Sequence, residues 1–346
     1  MPPESTDALV PLGWDARVHA LIQDISSPET QPGRVVRVER SACVVALADG
    51  TEVLATAHPL PAVGDWITVA VSQERGIVRD VVPRWSALVR EDPGGGTQIL
   101  AANVDLVLIT TPADRPSAAR VERETLAAWD SGARPVVVVA KVDLDEHGYV
   151  DELRERLTAV DVVATSAETG IGVGEIAELL QPNRTAVLLG PSGAGKSTLA
   201  NALLGADVLA IGAVREDDHR GRHTTTSRQL VVVPGGGVLI DTPGIRSLGL
   251  AGGGDGLEQT FTDIAELAAS CRFADCRHEK EPDCAVLAAV ADGILDSDRL
   301  ASYRKLEREL AFEQRRTDPL ARAENQRKWK SIHKEIRRHY RDSGKK

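Results

Sequence analysis

The stretch Gly190-Pro191-Ser192-Gly193-Ala194-Gly195-Lys196-Ser197-Thr198, reached from the apolar run Thr185-Ala186-Val187-Leu188-Leu189, constrains this chain more than any other segment. Its spacing is G-x-x-x-x-G-K-S. Glycines there let successive backbone N–H groups curl around a phosphate, and the helix that follows adds its positive N-terminal dipole. Lys196 is then placed to reach β- and γ-phosphates, and the Ser197 hydroxyl a magnesium ion. Gly190, Ser192, Gly193, Ala194, Gly195, Lys196, Ser197 and Thr198 are the candidate phosphate contacts. A strand–loop–helix of this kind belongs in an α/β sheet. Ligands of such sheets bind beyond the carboxyl ends of the strands, so any other site loop should end a neighbouring strand.

Four further segments meet that condition or lie between segments that do. Asp241-Thr242-Pro243-Gly244 ends the run Val238-Leu239-Ile240. Its aspartate would hold magnesium, through water, and the Gly244 N–H would sense a γ-phosphate. Between the two motifs lies Gly221-Arg222-His223-Thr224-Thr225-Thr226. A switch loop needs a threonine whose hydroxyl reaches magnesium. Thr225 is taken for that role, although the sequence does not distinguish among the three, and a threonine-rich β edge is the other reading. Upstream, Lys141-Val142-Asp143 follows the run 135–140. The Asp143 carboxylate can accept from the ring N–H and exocyclic amine of guanine, a donor pair that adenine lacks. The stem of Lys141 can lie over the base, and a backbone N–H of Ser166-Ala167 can meet the guanine carbonyl. The base-reading loops therefore precede the phosphate loop, so the parts of a guanine-nucleotide site stand in rotated order.

Around these motifs the chain divides. Residues 1–32 are polar and carry Trp14, which either docks on a neighbour or stands alone. From 33 to 90 short β-like runs alternate with turn signals such as Asp49-Gly50, which predicts a small five-stranded barrel of OB type. That barrel either binds nucleic acid or packs on the next domain. Gly94-Gly95-Gly96 reads as a linker. From 97 to 250 strand and helix patterns alternate, with helices expected over 117–130, 148–159 and 174–180, which specifies a largely parallel sheet. From 257 the strands stop. Cys271, Cys276, His278 and Cys284 follow at C-x4-C-x-H-x5-C spacing, three sulfurs and an imidazole that suit one tetrahedral zinc with no position left open for chemistry. Cys43 stands apart and reads as core.

Charge is uneven. The 346 residues carry a net −10, yet residues 301–346 hold 15 Lys and Arg against 7 Asp and Glu, which leaves −18 on the first 300. A basic end on an acidic body suggests a polyanionic partner. Trp329, Ile332, Ile336 and Tyr340 fall at helical spacing there and form an apolar stripe opposite the cations. No apolar run approaches the ~18 residues of a membrane span, and the first residues lack the basic and apolar parts of a signal peptide. Few cysteines, three of them clustered, do not make a disulfide framework. A cytoplasmic monomer is expected.

Motif content and order together resemble the circularly permuted bacterial GTPases that mature the small ribosomal subunit, the RsgA or YjeQ family. Lys141–Asp143, Ser166-Ala167, Gly190–Thr198, Gly221–Thr226, Asp241–Arg246 and the four Cys/His residues carry the likeness over roughly residues 33–340. The resemblance implies an OB-fold barrel, a permuted GTPase domain and a zinc-bearing helical domain. It also implies rRNA contacts by the barrel and the zinc domain, and GTP hydrolysis stimulated by the subunit. His223 becomes a candidate for positioning water or touching RNA. Two residues depart from the GTPase pattern. Ala140 stands where the family usually has an asparagine that ties the base loop to the phosphate loop, which predicts weaker nucleotide affinity. Ile245 replaces the water-orienting glutamine of many GTPases, a replacement the family shares, which predicts slow unstimulated hydrolysis. A nucleotide-bound assembly scaffold without turnover is the competing reading.

Overall fold

The computed structural model describes residues 6–91, 97–205, 228–241, 248–250 and 255–317. The threonine loop 221–226 with His223 and Thr225, the segment Thr242–Gly244, Ile245, the glycine run 94–96 and the C-terminal stripe 329–340 all lie outside the described residues.

The chain opens with a 3-10 turn, Asp7–Leu12, and helix α1 (Ala16–Gln23). The Asp15 carboxylate caps α1 by accepting from the Val18 N–H at 2.8 Å, satisfying one of the donors a helix start leaves open. Leu9, Val18 and Ile22 are buried against Trp66, and Trp14 meets Trp66 edge-on at 5.4 Å. The N-terminal segment thus covers one side of the barrel, a contact that the sequence reading left open for Trp14.

Strands β1 (Gln31–Val38), β2 (Cys43–Leu47), β3 (Glu52–Thr56), β4 (Trp66–Ser72) and β5 (Arg75–Val81) pair in the order β1-β2-β3-β5-β4, and β4 returns to β1. The result is a closed five-stranded barrel of OB type, with Val35, Val45, Val53, Ile67 and Val69 filling its interior. Closure removes the free edges that open sheets must otherwise protect. Strands β6 (Ala87–Glu91) and β7 (Thr97–Ala102) form a separate hairpin.

The α/β body follows as β8 (Leu106–Pro112), α2 (Ala118–Asp130), β9 (Arg134–Ala140), α3 (Tyr149–Arg156), β10 (Asp161–Thr165), α4 (Val173–Leu179), β11 (Thr185–Leu189), α5 (Lys196–Leu204), β12 (Gln229–Val232) and β13 (Val238–Asp241). The sheet order is β10-β9-β8-β11-β13-β12. All neighbours are parallel until β12, which is antiparallel to β13. Because helices cover both faces, β8 is buried throughout, and its first four residues, 106–109, read as one apolar run. β12 also bridges to β1 at Gln229 and Arg37, so barrel and body share one sheet.

Arg34 fastens that junction from inside. It is 1% exposed, donates to Thr185 Oγ1 at 2.8 Å and to the Leu12 carbonyl, and lies over the Trp66 ring. Burial pushes its guanidinium down to about 10, against the pull of Asp105, Asp65 and Asp15.

Helices α6 (Asp255–Thr260), α7 (Thr262–Ala268), α8 (Ala285–Ala291) and α9 (Ser297–Thr317) form the C-terminal layer. It docks directly on α2. A Cβ at Gly256 would stand 3.1 Å from Leu126, so a larger residue there would have to push α2 back by a few tenths of an ångström. Arg299, 2% exposed, donates to Glu122 at 2.9 Å, to both Asp263 oxygens at 2.8 and 3.0 Å, and to the Thr260 carbonyl at 3.0 Å. Arg123 reaches Glu309 at 2.6 Å, and Arg156 pairs with Asp296. The helical layer is therefore held by α2 and α3 as well as by its connection to β13.

Candidate functional site

Strands β8, β9, β10, β11 and β13 run parallel, so their carboxyl ends share one edge. That edge carries Asp114, Lys141, Ser166, the loop from Gly190, and Asp241. The rotated order in sequence becomes a single cluster in space.

Gly190, Gly193 and Gly195 have φ of +143°, +77° and +94°. At Gly190 the constraint is also steric, since a Cβ would fall 2.2 Å from the Thr110 carbonyl oxygen on the neighbouring strand. Gly195 caps α5, and the first-turn N–H groups of a helix have no intrahelical acceptor, an arrangement that suits an anion. The Lys196 ammonium folds over the loop and donates to the Gly190 and Pro191 carbonyls, each at 2.8 Å. Among the described residues nothing bonds the Ser197 hydroxyl, which is half-buried one residue on. α5, which carries Ser197, follows β11, and β11 pairs with β13, the strand that ends at Asp241. A serine hydroxyl is a hard oxygen donor of the kind magnesium takes.

The base loop adjoins the phosphate loop. Ala140, 5% exposed, would stand 3.4 Å from a Cβ placed on Gly195. Lys141 takes the left-handed conformation, φ +60°, and its ammonium meets Asp114 at 3.2 Å. Asp114 escaped the sequence reading. Its signal was available, since it follows the carboxyl end of β8 as the other site residues follow theirs. The Asp143 carboxylate is exposed and bonds to no described residue. The Ser166 N–H is taken by the Ile171 carbonyl at 3.0 Å, and its hydroxyl accepts from Thr169 N–H at 3.3 Å. The Ala167 N–H donates to no described residue.

Glu124 on α2 gave no sequence signal. It is 2% exposed and makes no hydrogen bond to a described residue. Burial pushes its carboxyl up to about 7, against the pull of Arg120, Arg123 and Lys196.

The second centre lies between α7 and α8. The ligand atoms of Cys271, Cys276, His278 and Cys284 all fall within 4.8 Å of one another. Cys271 Sγ is 3.8 Å from Cys284 Sγ, and His278 Nδ1 is 3.6 and 3.4 Å from those sulfurs. A tetrahedron with Zn–S about 2.3 Å and Zn–N about 2.0–2.1 Å has S···S edges near 3.8 Å and S···N edges near 3.6 Å. The four residues therefore fit zinc in both chemistry and spacing. Left-handed backbone at His278 (φ +58°) and Asp283 (φ +57°) turns the chain back toward the centre. Glu281 accepts from the backbone N–H groups of Arg277, Glu279 and Lys280, which holds its carboxyl down at about 2 and fixes the intervening turn.

A family model of the RsgA GTPase matches residues 81–251. The chain is 45% identical to a Streptomyces coelicolor protein named small ribosomal subunit biogenesis GTPase RsgA, over 93% of this chain and 92% of that one. The chain belongs to the RsgA GTPase family. A second relative of the same name, from Opitutus terrae, is 42% identical, with 96% and 98% covered. Among solved structures, YjeQ from Thermotoga maritima superposes with a TM-score of 0.62 at 27% identity, covering 81% of this chain and 98% of that one. YloQ, described as a circularly permuted GTPase, gives 0.60 at 24% identity and supports the fold alone. The RsgA GTPase match includes the loops of Lys141, Ser166, Gly190 and Asp241, the part of the chain that the sheet edge brings together. No described helix is long and apolar enough to cross a membrane.

Proposed function

We propose that this chain hydrolyses GTP to GDP and phosphate while bound to the small ribosomal subunit late in its maturation, and that the subunit raises the rate. The observation that carries this reading is the cluster of base and phosphate loops on one sheet edge in rotated order. The names of relatives matched over most of the chain support the ribosomal partner. Asp143, Lys141 and the Ala167 N–H read guanine. Lys196 leaves the loop carbonyls for the β- and γ-phosphates, while the N-terminal turn of α5 cradles them. Ser197, Thr225 and Asp241 hold the magnesium ion, which neutralises phosphate charge. Gly244 senses the γ-phosphate. His223 orients water or meets RNA, and Ile245 has no group to do so. Cys271, Cys276, His278 and Cys284 hold one structural zinc.

The working units are an N-terminal extension 1–32, a barrel 33–90, a GTPase domain 97–250 and a helical domain 257–346 ending in the basic helix. The protein acts as a cytoplasmic monomer. Loss of γ-phosphate releases the switch loops, and the helical domain loosens its grip on rRNA. Phosphate release from GTP, measured with and without purified small subunits and with ATP as control, tests the reading. Turnover should rise with subunits and be absent with ATP. Equal use of ATP and GTP, or no turnover in either condition, would overturn it. Unchanged subunit-stimulated turnover in His223→Ala would remove that residue from the mechanism.

A further inference from the structure

A cavity of about 540 Å³ opens at the seam between barrel and body, beside the start of β12, whose Gln229 pairs with Asp241 at the end of β13. Its volume lies within the roughly 300–1,000 Å³ of small-ligand sites. Five segments meet there: the end of β1 with the turn after it (38–40), the 59–63 loop between β3 and β4, Arg84 between β5 and β6, the start of β7, and the residue that leads into β12. Leu60, Val63, Ile99 and Leu100 give it an apolar floor. Arg40, Arg84 and Arg228 stand around that floor.

The three cations differ in what neutralises them. Arg84 is committed to Asp65, which it meets through two bonds of 2.6 Å, and so serves as wall. Arg40 and Arg228 form no ion pair or hydrogen bond with a described residue. Arg228 is half-buried and has Arg90 as its electrostatic neighbour, and both burial and that like charge lower its pKa. Arg90 in turn bonds Gln98, another lining residue, at 3.0 Å. Glu39 lines the cavity but is already matched by Arg37 at 3.3 Å. Among the described residues, Arg40 and Arg228 therefore line the cavity without an ion-pair partner.

A bare phosphate would leave the apolar floor unused. A purely apolar ligand would leave the arginines unmatched. Guanidinium groups bind phosphate through paired N–H donors and also stack on planar rings. We infer that this cavity binds a nucleotide 5′-phosphate, free or as one unit of an RNA strand, with its base on the Leu60–Leu100 floor and its phosphate between Arg40 and Arg228. The inference does not depend on GTP hydrolysis, since no residue of the phosphate loop lines the cavity.

The test uses the full chain saturated with GDP and magnesium, so that the sheet-edge site is filled. Uridine 5′-monophosphate and a fluorescein-labelled uridine hexanucleotide RNA are titrated separately, with uridine as control. One equivalent of probe should bind, and uridine should bind at least about tenfold more weakly. Arg40→Ala, Arg228→Ala and Leu60→Asp should each weaken binding of the same probe by about tenfold or more while GDP affinity stays unchanged. Tighter binding of the hexanucleotide identifies RNA as the source, and comparable binding of the monophosphate identifies a free nucleotide. No binding of either probe at millimolar concentration, or binding that all three variants retain, would overturn the inference. GDP affinity serves as the folding control, and its failure in the parent chain would count against the GTPase reading instead.

Discussion

Arg299→Ala should detach the helical layer from α2 without touching the sheet-edge site. The guanidinium makes four contacts of 2.8–3.0 Å with Asp263, Glu122 and the Thr260 carbonyl, and it is 2% exposed. Glu122 is fully buried, and its second oxygen already lacks a partner. Without Arg299 it keeps only Arg156, at 3.5 Å. Removing one member of a buried pair costs about 3–5 kcal/mol, chiefly through the charge left behind. Asp263 is about one-third exposed and can recover water, so about 3 kcal/mol is expected here. For a cooperative unit of this size, that lowers the melting midpoint by roughly 6–12 °C.

The assay is urea and thermal unfolding followed by circular dichroism, with GDP affinity as a control for the nucleotide site. Because the cost lies in stranded carboxylate charge, adding Glu122→Gln to Arg299→Ala should return about half of it, a coupling of 1–2 kcal/mol. An Arg299→Ala chain within about 0.5 kcal/mol of the parent would refute the reasoning. So would a double variant whose losses simply add.

Ala140→Asn should tighten GDP and GTP binding. Its new amide would stand beside Gly195 in reach of the phosphate loop, and one or two neutral hydrogen bonds are worth about 1–2 kcal/mol, or 5- to 30-fold in Kd. Calorimetric titration that gives equal or weaker affinity would count against it. Glu124 should make stability pH-dependent. Its carboxyl pKa is raised on folding, so the folded state binds the extra proton. Stability is then greatest below the unfolded value near 4.5 and falls as pH rises through about 7. A shift of that size corresponds to about 3 kcal/mol, so Glu124→Gln should flatten the slope of unfolding free energy between pH 5 and 8, and an unaltered slope would contradict the assignment. Chelation, or Cys284→Ser, should release one zinc per chain as read by metal analysis and melt the helices around residues 262–291 while leaving GDP affinity intact. Retained metal in Cys284→Ser would argue against a four-ligand site.

Much of the nucleotide site was legible because it is written in short range. A glycine-rich loop between an apolar strand and a helix, or three cysteines and a histidine within 14 residues, carries its geometry in local spacing. The alternation of strand and helix even set the edge where separate loops had to meet. It could not supply Asp114 as the partner of Lys141, because that pairing depends on β8 lying beside β9. Nor could residues 7–25 announce that they cover the barrel, since their apolar side chains, Leu9, Val18 and Ile22 among them, gain meaning only against Trp66.

The chain's own order of residues determined the kinds of element, the rotated succession of motifs and the chemistry of each donor set. Tertiary structure alone decided what those elements rest on: Arg34 on Thr185 across 151 positions, Arg299 on Glu122 across 177, and a cavity where barrel, hairpin and sheet meet. The physical reason is that backbone periodicity reports which face of an element is apolar. It does not report which distant face will bury it, and buried charges find their partners only once that choice has been made.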